Sequence, residues 1–296
     1  MSINTDTALP LTFLPLSLSQ KEKIESIRIA SGNNQYVYTF ASLFVWKTDE
    51  KYEVCLSDDA FIIKNGIEGD NDYLFPCGSN TGKKALIDAL IKNGIPVFHS
   101  VTDEDKLFLE AEYPDLFVFE ECRDDFVYLY DKKEQIELRG TAYKRLRHKI
   151  NRGRDSAAEW LIEPITADNV ERAMKINKRW AESLGNEGPA DIIPAETALN
   201  YFSELSMWGL LFSADGQDVA YVTGAFITPE IFDLSFCKVL DKRCGFFVKW
   251  AMYRELPQSV ITVDSEEDLG IEGLRSHKLQ RQPKELRRIW KGSLIK

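Results

Sequence analysis

Three strand-like runs, Gly209 to Ser213, Asp218 to Ile227 and Ile231 to Leu240, follow one another directly in the sequence. Their connections, Ala214-Asp215-Gly216-Gln217 and Thr228-Pro229-Glu230, are too short for a crossover helix and suit antiparallel turns. This meander disfavours a doubly wound dinucleotide fold, which needs a series of βαβ units. Around it, Glu159 to Ile165 reads as a strand and Thr166 to Leu184 as a helix, with Thr166 as cap and Asp168 in the first turn. Pro189 and Pro194 bracket a loop before a helix running through Met207. After the meander come a helix from Gly245 to Glu255, a strand from Ser259 to Asp264 and a helix from Ile271 to Leu279. The result is a mixed α/β layer.

The first half repeats this order and size loosely. A helix from Ser19 to Ala30, with Ser19 as cap and Glu22 at the capping-box position, precedes an aromatic core segment, Tyr36 to Trp46. Strands are expected at Tyr52 to Leu56, Ala60 to Lys64, Asp72 to Pro76, Ile95 to His99, Leu116 to Glu120 and Phe126 to Tyr130. Helices are expected at Thr81 to Lys92, closed by Asn93-Gly94, and at Thr102 to Ala111. Gly140 then precedes a basic helix whose apolar face is Tyr143, Leu146 and Ile150. At 296 residues two domains are expected, 1–140 and 159–296, with 141–158 as a basic junction helix.

The formal net charge of −10 argues against DNA as a partner, but the charge is unevenly spread. Thirteen acids and four bases lie between Asp103 and Glu137; seven bases and no acid lie between Arg139 and Arg154. A polyanion meeting Lys144, Arg147, Lys149 and Arg152 would feel that local field, and its binding would depend on salt. No run of 18 apolar residues occurs, which excludes a membrane-spanning helix by sequence. Met1 to Pro10 lacks the basic and apolar regions of a secretory signal, and the five cysteines form no CxxC pair. A cytoplasmic location is therefore expected.

Three stretches carry a resemblance to a known family: Asp125-Phe126-Val127-Tyr128-Leu129, Tyr143 to Arg152, and Glu266-Glu267-Asp268-Leu269-Gly270-Ile271-Glu272-Gly273-Leu274-Arg275-Ser276-His277-Lys278-Leu279. The chain resembles the C-terminal domain of phosphatidylglycerol lysyltransferases, including its stand-alone relatives. That resemblance implies tandem GNAT-like acyltransferase domains, each a mixed, mostly antiparallel sheet flanked by helices. It implies transfer of an aminoacyl group, or less favourably an acyl group, to an amine or hydroxyl in a cleft between the domains. Charged tRNA is the donor it implies, with acyl-CoA as the weaker choice. The acceptor is left open among a small molecule, a peptide and a lipid headgroup.

Acyl transfer needs a base for the attacking group and positive charge for the oxyanion. Asp264, Glu266, Asp268 and Glu272 lie where a strand ends and a helix begins, so Glu266 or Asp268 is expected to manage the proton. Arg275 and Lys278, three apart on that helix, are expected to bind donor phosphate or acceptor charge. Lys242, Arg243 and the N–H groups near Gly245 could receive an anion at a helix start. The absence of a second glycine there, with Phe246 and Phe247 in its place, weakens an acyl-CoA reading. As composition alone, the same acids read as helix caps and the same bases as a solvated ladder. Gly78 to Lys84 imitates a phosphate loop, but its glycine spacing is one residue short and Lys84 replaces the magnesium-binding Ser or Thr. Three scattered histidines, His99, His148 and His277, offer no metal-ligand spacing. Against the enzyme stand a noncatalytic protein binding RNA or another polyanion, and a regulatory protein with a degenerate pocket.

Overall fold

The structure is a computed structural model that describes residues 11–66, 71–184 and 191–295. The start at Met1 to Pro10 and the loop opening at Pro189 lie outside those residues. The chain forms two compact units, Met1–Asp125 with Arg288–Lys296, and Phe126–Arg287.

The first unit runs β1 (Leu14–Pro15), α1 (Lys21–Ala30), α2 (Phe40–Trp46), β2 (Glu53–Leu56), β3 (Ala60–Lys64), β4 (Asp72–Leu74), β5 (Cys77–Gly78), α3 (Asn80–Asn93), β6 (Val97–Val101), α4 (Asp103–Glu112) and β7 (Phe117–Glu121). Ser17, not Ser19, opens the first helical segment, where it forms a capping box with Gln20. The Gly78 to Lys84 stretch is an ordinary helix start: Ser79 accepts from the Gly82 N–H at 2.9 Å as the cap of α3.

The second unit runs β8 (Val127–Asp131), α5 (Lys132–Glu137), α6 (Lys144–Arg154), β9 (Trp160–Pro164), α7 (Val170–Leu184), α8 (Ile192–Asn200), β10 (Trp208–Ala214), β11 (Gln217–Thr228), β12 (Ile231–Val239), α9 (Gly245–Glu255), β13 (Thr262–Asp264), α10 (Glu272–Leu279) and β14 (Glu285–Arg287). The chain then ends in β15 (Trp290–Leu294), which pairs with β6 and β7 and so belongs to the first unit.

Each unit carries one mixed sheet. The first has the order β1-β2-β3-β4-β6-β15-β7, with β5 on β3, and β4/β6 is its parallel pair. The second has the order β14-β8-β13-β12-β11-β10-β9, with β12/β13 its parallel pair. Both are mostly antiparallel and flanked by helices, the architecture of tandem GNAT-like α/β domains. The boundary falls before β8 rather than at 140, because β8 pairs antiparallel with β13 and β14. Its buried Tyr128 and Tyr130 join the same apolar cluster as Phe232, Val263 and Met252. The basic α6 is likewise part of this unit: Leu146 and Ile150 are buried in that cluster.

Two features prepare the site. Thr223 faces Phe236 and Ala225 faces Asp233, so two residues of β11 span three of β12 and the ladder bulges there. Gly224 fills the tight side of this bulge, where an added Cβ would meet the Asp233 carbonyl oxygen at 1.8 Å. Parallel pairing requires a crossover, which α9 supplies between β12 and β13.

Candidate functional site

Strands β12 and β13 pair over a short stretch, Ile231–Asp233 against Thr262–Asp264. Beyond it β12 continues to Val239, whereas the chain after Asp264 leaves the sheet for a turn and then α10. The two parallel strands therefore part at their carboxyl ends, the position where open α/β sheets bind ligands.

The turn is built from strained backbone. Glu266 and Leu269 adopt left-handed conformations with φ of 56° and 53°. Such conformations cost about 1–3 kcal/mol each unless surrounding contacts hold them. Those contacts come mainly from Asp268, which is fully buried. Its carboxylate accepts from the Tyr128 hydroxyl at 2.6 Å, from Arg275 Nε at 3.0 Å and Nη2 at 2.7 Å, and from the Gly270 N–H at 3.0 Å. Lys278, 5 % exposed, donates to the carbonyl oxygens of Ser265 and Glu267. The Tyr128 N–H donates to the Glu266 carbonyl oxygen at 3.1 Å, which ties the turn to β8. Asp268, Arg275 and Lys278 thus spend their polar groups on one another and on the turn. Glu272 is exposed at the start of α10.

The Glu266 side chain stands apart from this network. It is half-buried, and burial, reinforced by Asp233 and Glu267 and opposed by Lys278, pushes its carboxyl well above the ordinary glutamate range. Lys249 of α9 is half-buried, and desolvation lowers its ammonium to about 8. It feels Glu266 and Lys278 as well as Cys237 and Arg281. His277 stacks on Phe246 with ring centroids 4.5 Å apart. Burial and the surrounding cations, Lys249 foremost, lower it to about 2, so it is a neutral imidazole at physiological pH. Groups from β12, α9, α10 and the turn therefore share one neighbourhood that combines partial solvent access with strong desolvation.

The parallel register sets Asp233 beside Asp264, 1 % and 0 % exposed. Ser235 donates to Asp233 Oδ2 at 2.7 Å, and the Glu266 N–H donates to Asp264 Oδ1 at 2.9 Å. Asp233 Oδ1 and Asp264 Oδ2 are buried without hydrogen-bond partners. Burial raises Asp264 from 3.8 to about 7, and burial, with Asp264 adding to it, also raises Asp233 above the ordinary carboxylate range. The folded state thus keeps a proton on Asp264 where the unfolded chain has lost it. That stability is complete below about pH 4 and lost as pH rises through about 7. Asp264→Asn is expected to unfold at higher urea than the parent above pH 7, by on the order of 2 kcal/mol, and to flatten the decline between pH 4 and 7. Parallel pH profiles for the two proteins would refute this electrostatic reading.

Of the basic helix, Lys149 reaches this neighbourhood. It donates to Gln280 and sits 4.6 Å over the Phe246 ring. Arg147 instead donates to the Leu138 and Gly140 carbonyls, closing the segment before α6. Lys144 and Arg152 are exposed, as are Arg145 and His148. At the start of α9, Arg243 folds back on Asp241, with Nη2 to Oδ2 at 2.6 Å, and Lys242 is exposed. Gly153 of α6 abuts the same loop, where an added Cβ would lie 2.9 Å from the Arg243 carbonyl oxygen. Gly245 has open space around its Cα.

Sequence reasoning passed over Asp233, Lys249 and Arg281, and weighed His277 only as a metal ligand or a base for a cysteine. A signal existed for the first two: Asp233 interrupts the apolar run Ile231 to Phe236, and Lys249 interrupts Phe246 to Tyr253. Among the described residues no group of His, Cys, Asp and Glu is arranged to hold a metal ion, and no helix is long and apolar enough to cross a membrane.

The family model described as "Phosphatidylglycerol lysyltransferase, C-terminal" matches residues 30–238. A conserved protein of unknown function from Bacteroides thetaiotaomicron superposes with a TM-score of 0.87 at 25% identity, covering 96% of this chain and 100% of that one. The C-terminal domain of a putative lysylphosphatidylglycerol synthetase from Agrobacterium fabrum gives 0.67 at 14% identity, covering 94% and 92%. L-PGS from Bacillus licheniformis gives 0.63 at 14% identity, covering 92% and 90%. At those identities the last two show a shared fold. No curated protein matches the sequence.

Proposed function

Since the chain belongs to the phosphatidylglycerol lysyltransferase C-terminal family, we propose that it is an acyltransferase that moves an aminoacyl group onto an amine or hydroxyl acceptor. The observation that carries this reading is Glu266. It is a desolvated carboxylate outside the hydrogen-bond network of its own turn, at the point where β12 and β13 part. A carboxyl whose pKa is raised is a stronger base in its ionised form, and accepts a proton from an attacking amine or hydroxyl more effectively than an ordinary carboxylate. Lys249, still largely charged near neutral pH, supplies positive charge for the developing oxyanion. Asp268, Arg275 and Lys278 act as positioning residues that hold the turn.

Two features favour an aminoacyl-tRNA over an acyl-CoA as donor. The loop that would cradle a CoA pyrophosphate abuts α6 at Gly153, and its arginine is paired with Asp241 rather than left for a phosphate. Exposed Lys144, Arg145 and Arg152 on α6 suit a polyanion. The test is a transfer assay with the purified chain, comparing mixed aminoacyl-tRNAs with acyl-CoAs over a panel of amine and hydroxyl acceptors. Loss of label from tRNA to an acceptor supports the proposal. Tight, salt-sensitive tRNA binding with no deacylation would instead favour the noncatalytic polyanion binder.

A further inference from the structure

Arg281 follows α10 and is 2 % exposed. Its Nε, Nη1 and Nη2 are all buried, and none has a hydrogen-bond partner. The other arginine buried to the same degree, Arg28, is handled in the ordinary way, with Glu25 accepting from its Nε at 2.9 Å and its Nη2 at 2.6 Å. Around Arg281 are the phenols of Tyr130, Tyr143 and Tyr253; the Tyr253 hydroxyl is near enough to interact with the guanidinium but outside hydrogen-bond geometry, and the guanidinium lies 5.3 Å from the Tyr253 ring centroid. The charged side chains that share its surroundings are the cations Lys249 and Lys278 and, around Tyr143, the acids Glu134 and Asp131, none of which is a hydrogen-bond partner of the guanidinium. Gln135 fixes the Arg281 backbone by donating to its carbonyl oxygen at 2.7 Å.

A guanidinium removed from water without a carboxylate costs several kcal/mol, and adding a second cation beside it raises that cost. A planar fork of unfilled donors matches the paired oxygens of a carboxylate or phosphate. We propose that Arg281, with Lys249, forms an oxyanion-binding subsite that receives a carboxylate or phosphate group of the substrate. Lys249 and His277 keep part of their surface in solvent, whereas the Arg281 donors are buried, so an anion reaches them by displacing the side chains that cover them. His277, being neutral, presents a hydrogen-bonding imidazole there without adding to the positive charge. The substrate identity of the ligand rests on the transferase reading above, whereas anion binding itself does not.

Thermal unfolding of the full chain in inorganic phosphate, in acetate and in chloride at matched ionic strength tests the subsite. A saturable rise in Tm of about 2–5 °C is expected in phosphate or in acetate but not in chloride, and whichever anion acts identifies the group. Arg281→Met is expected to weaken that binding at least about tenfold while its Tm without anion equals or exceeds the parent's. A structural arginine would give the reverse. Lys249→Met should weaken binding in the same direction. The proposal is overturned if neither anion stabilises the parent, if Arg281→Met keeps the full shift, or if Arg281→Met loses stability or fails to fold. Glu266→Gln separates the two readings, because it should still bind the anion, at least as tightly as the parent since an acid acting on Lys249 is removed, whether or not the chain transfers acyl groups.

Discussion

Glu266→Gln is expected to lower turnover by about 10²–10⁴-fold, the range for removing a positioned general base. Glutamine keeps the size and the neutral form of the side chain but cannot take a proton. The substitution also removes an acid from a neighbourhood crowded by Asp233, Asp264 and Glu267, so the variant should fold with stability equal to or above the parent's. The pH profile gives a second readout. Because burial raises Glu266 well above the ordinary glutamate value, the rising limb of kcat/KM should lie above the usual carboxylate range. Lys249 loses its charge at about 8, so a falling limb is expected near that pH if it supports the oxyanion. Glu266→Gln should abolish the rising limb and leave the falling one. A folded variant with parental turnover and an unchanged profile would remove Glu266 from the chemistry.

The parts of the fold that were legible are those set by local chemistry. The β10–β11–β12 meander is fixed by its short turns and by an apolar pattern within each strand, and the structure pairs them as expected. Strands β14 and β15 were not legible. Glu285-Leu286-Arg287 and Trp290-Lys291-Gly292-Ser293-Leu294 are short and rich in polar residues, and their partners lie far back in the sequence at β8 and at β6 and β7. Membership of β8 in the second sheet is hidden for the same reason, since its register with β13 spans more than a hundred residues. At the site, the strand-end position drew attention to Asp264, Glu266 and Asp268 alike. What separates them is tertiary: Tyr128 and Arg275 close on Asp268, while the half-buried Glu266 side chain stays outside that hydrogen-bond network. No spacing rule encodes that difference, and none encodes a guanidinium buried without an acid.

Asp268→Ala is expected to cost about 3 kcal/mol of folding stability, read as the urea midpoint at constant slope. Asp268 is completely buried, so its carboxylate is stable there only because Tyr128, Arg275 and the Gly270 N–H all donate to it. Alanine removes the acceptor that the Tyr128 hydroxyl and the Arg275 guanidinium share and leaves a gap in its place. Arg275 is 31% exposed, so water recovers part of its loss, which places the cost at the lower end of the range for breaking a buried pair. Asp268→Asn keeps one acceptor but surrenders the charge and points an amide donor at another donor, and a smaller loss is expected. The same contacts hold Leu269 and Gly270 at positive φ, and Glu266 sits in the same strained turn. Turnover should therefore fall in both variants even well below their melting points, through displacement of Glu266 rather than loss of a proton carrier. The double change with Arg275→Met discriminates, because partners in one ion pair should couple by about 1–3 kcal/mol in stability. If Asp268→Ala unfolds at the parent's urea midpoint, or if the two changes are simply additive, the turn is not held by this pair and the placement of Glu266 loses its physical basis.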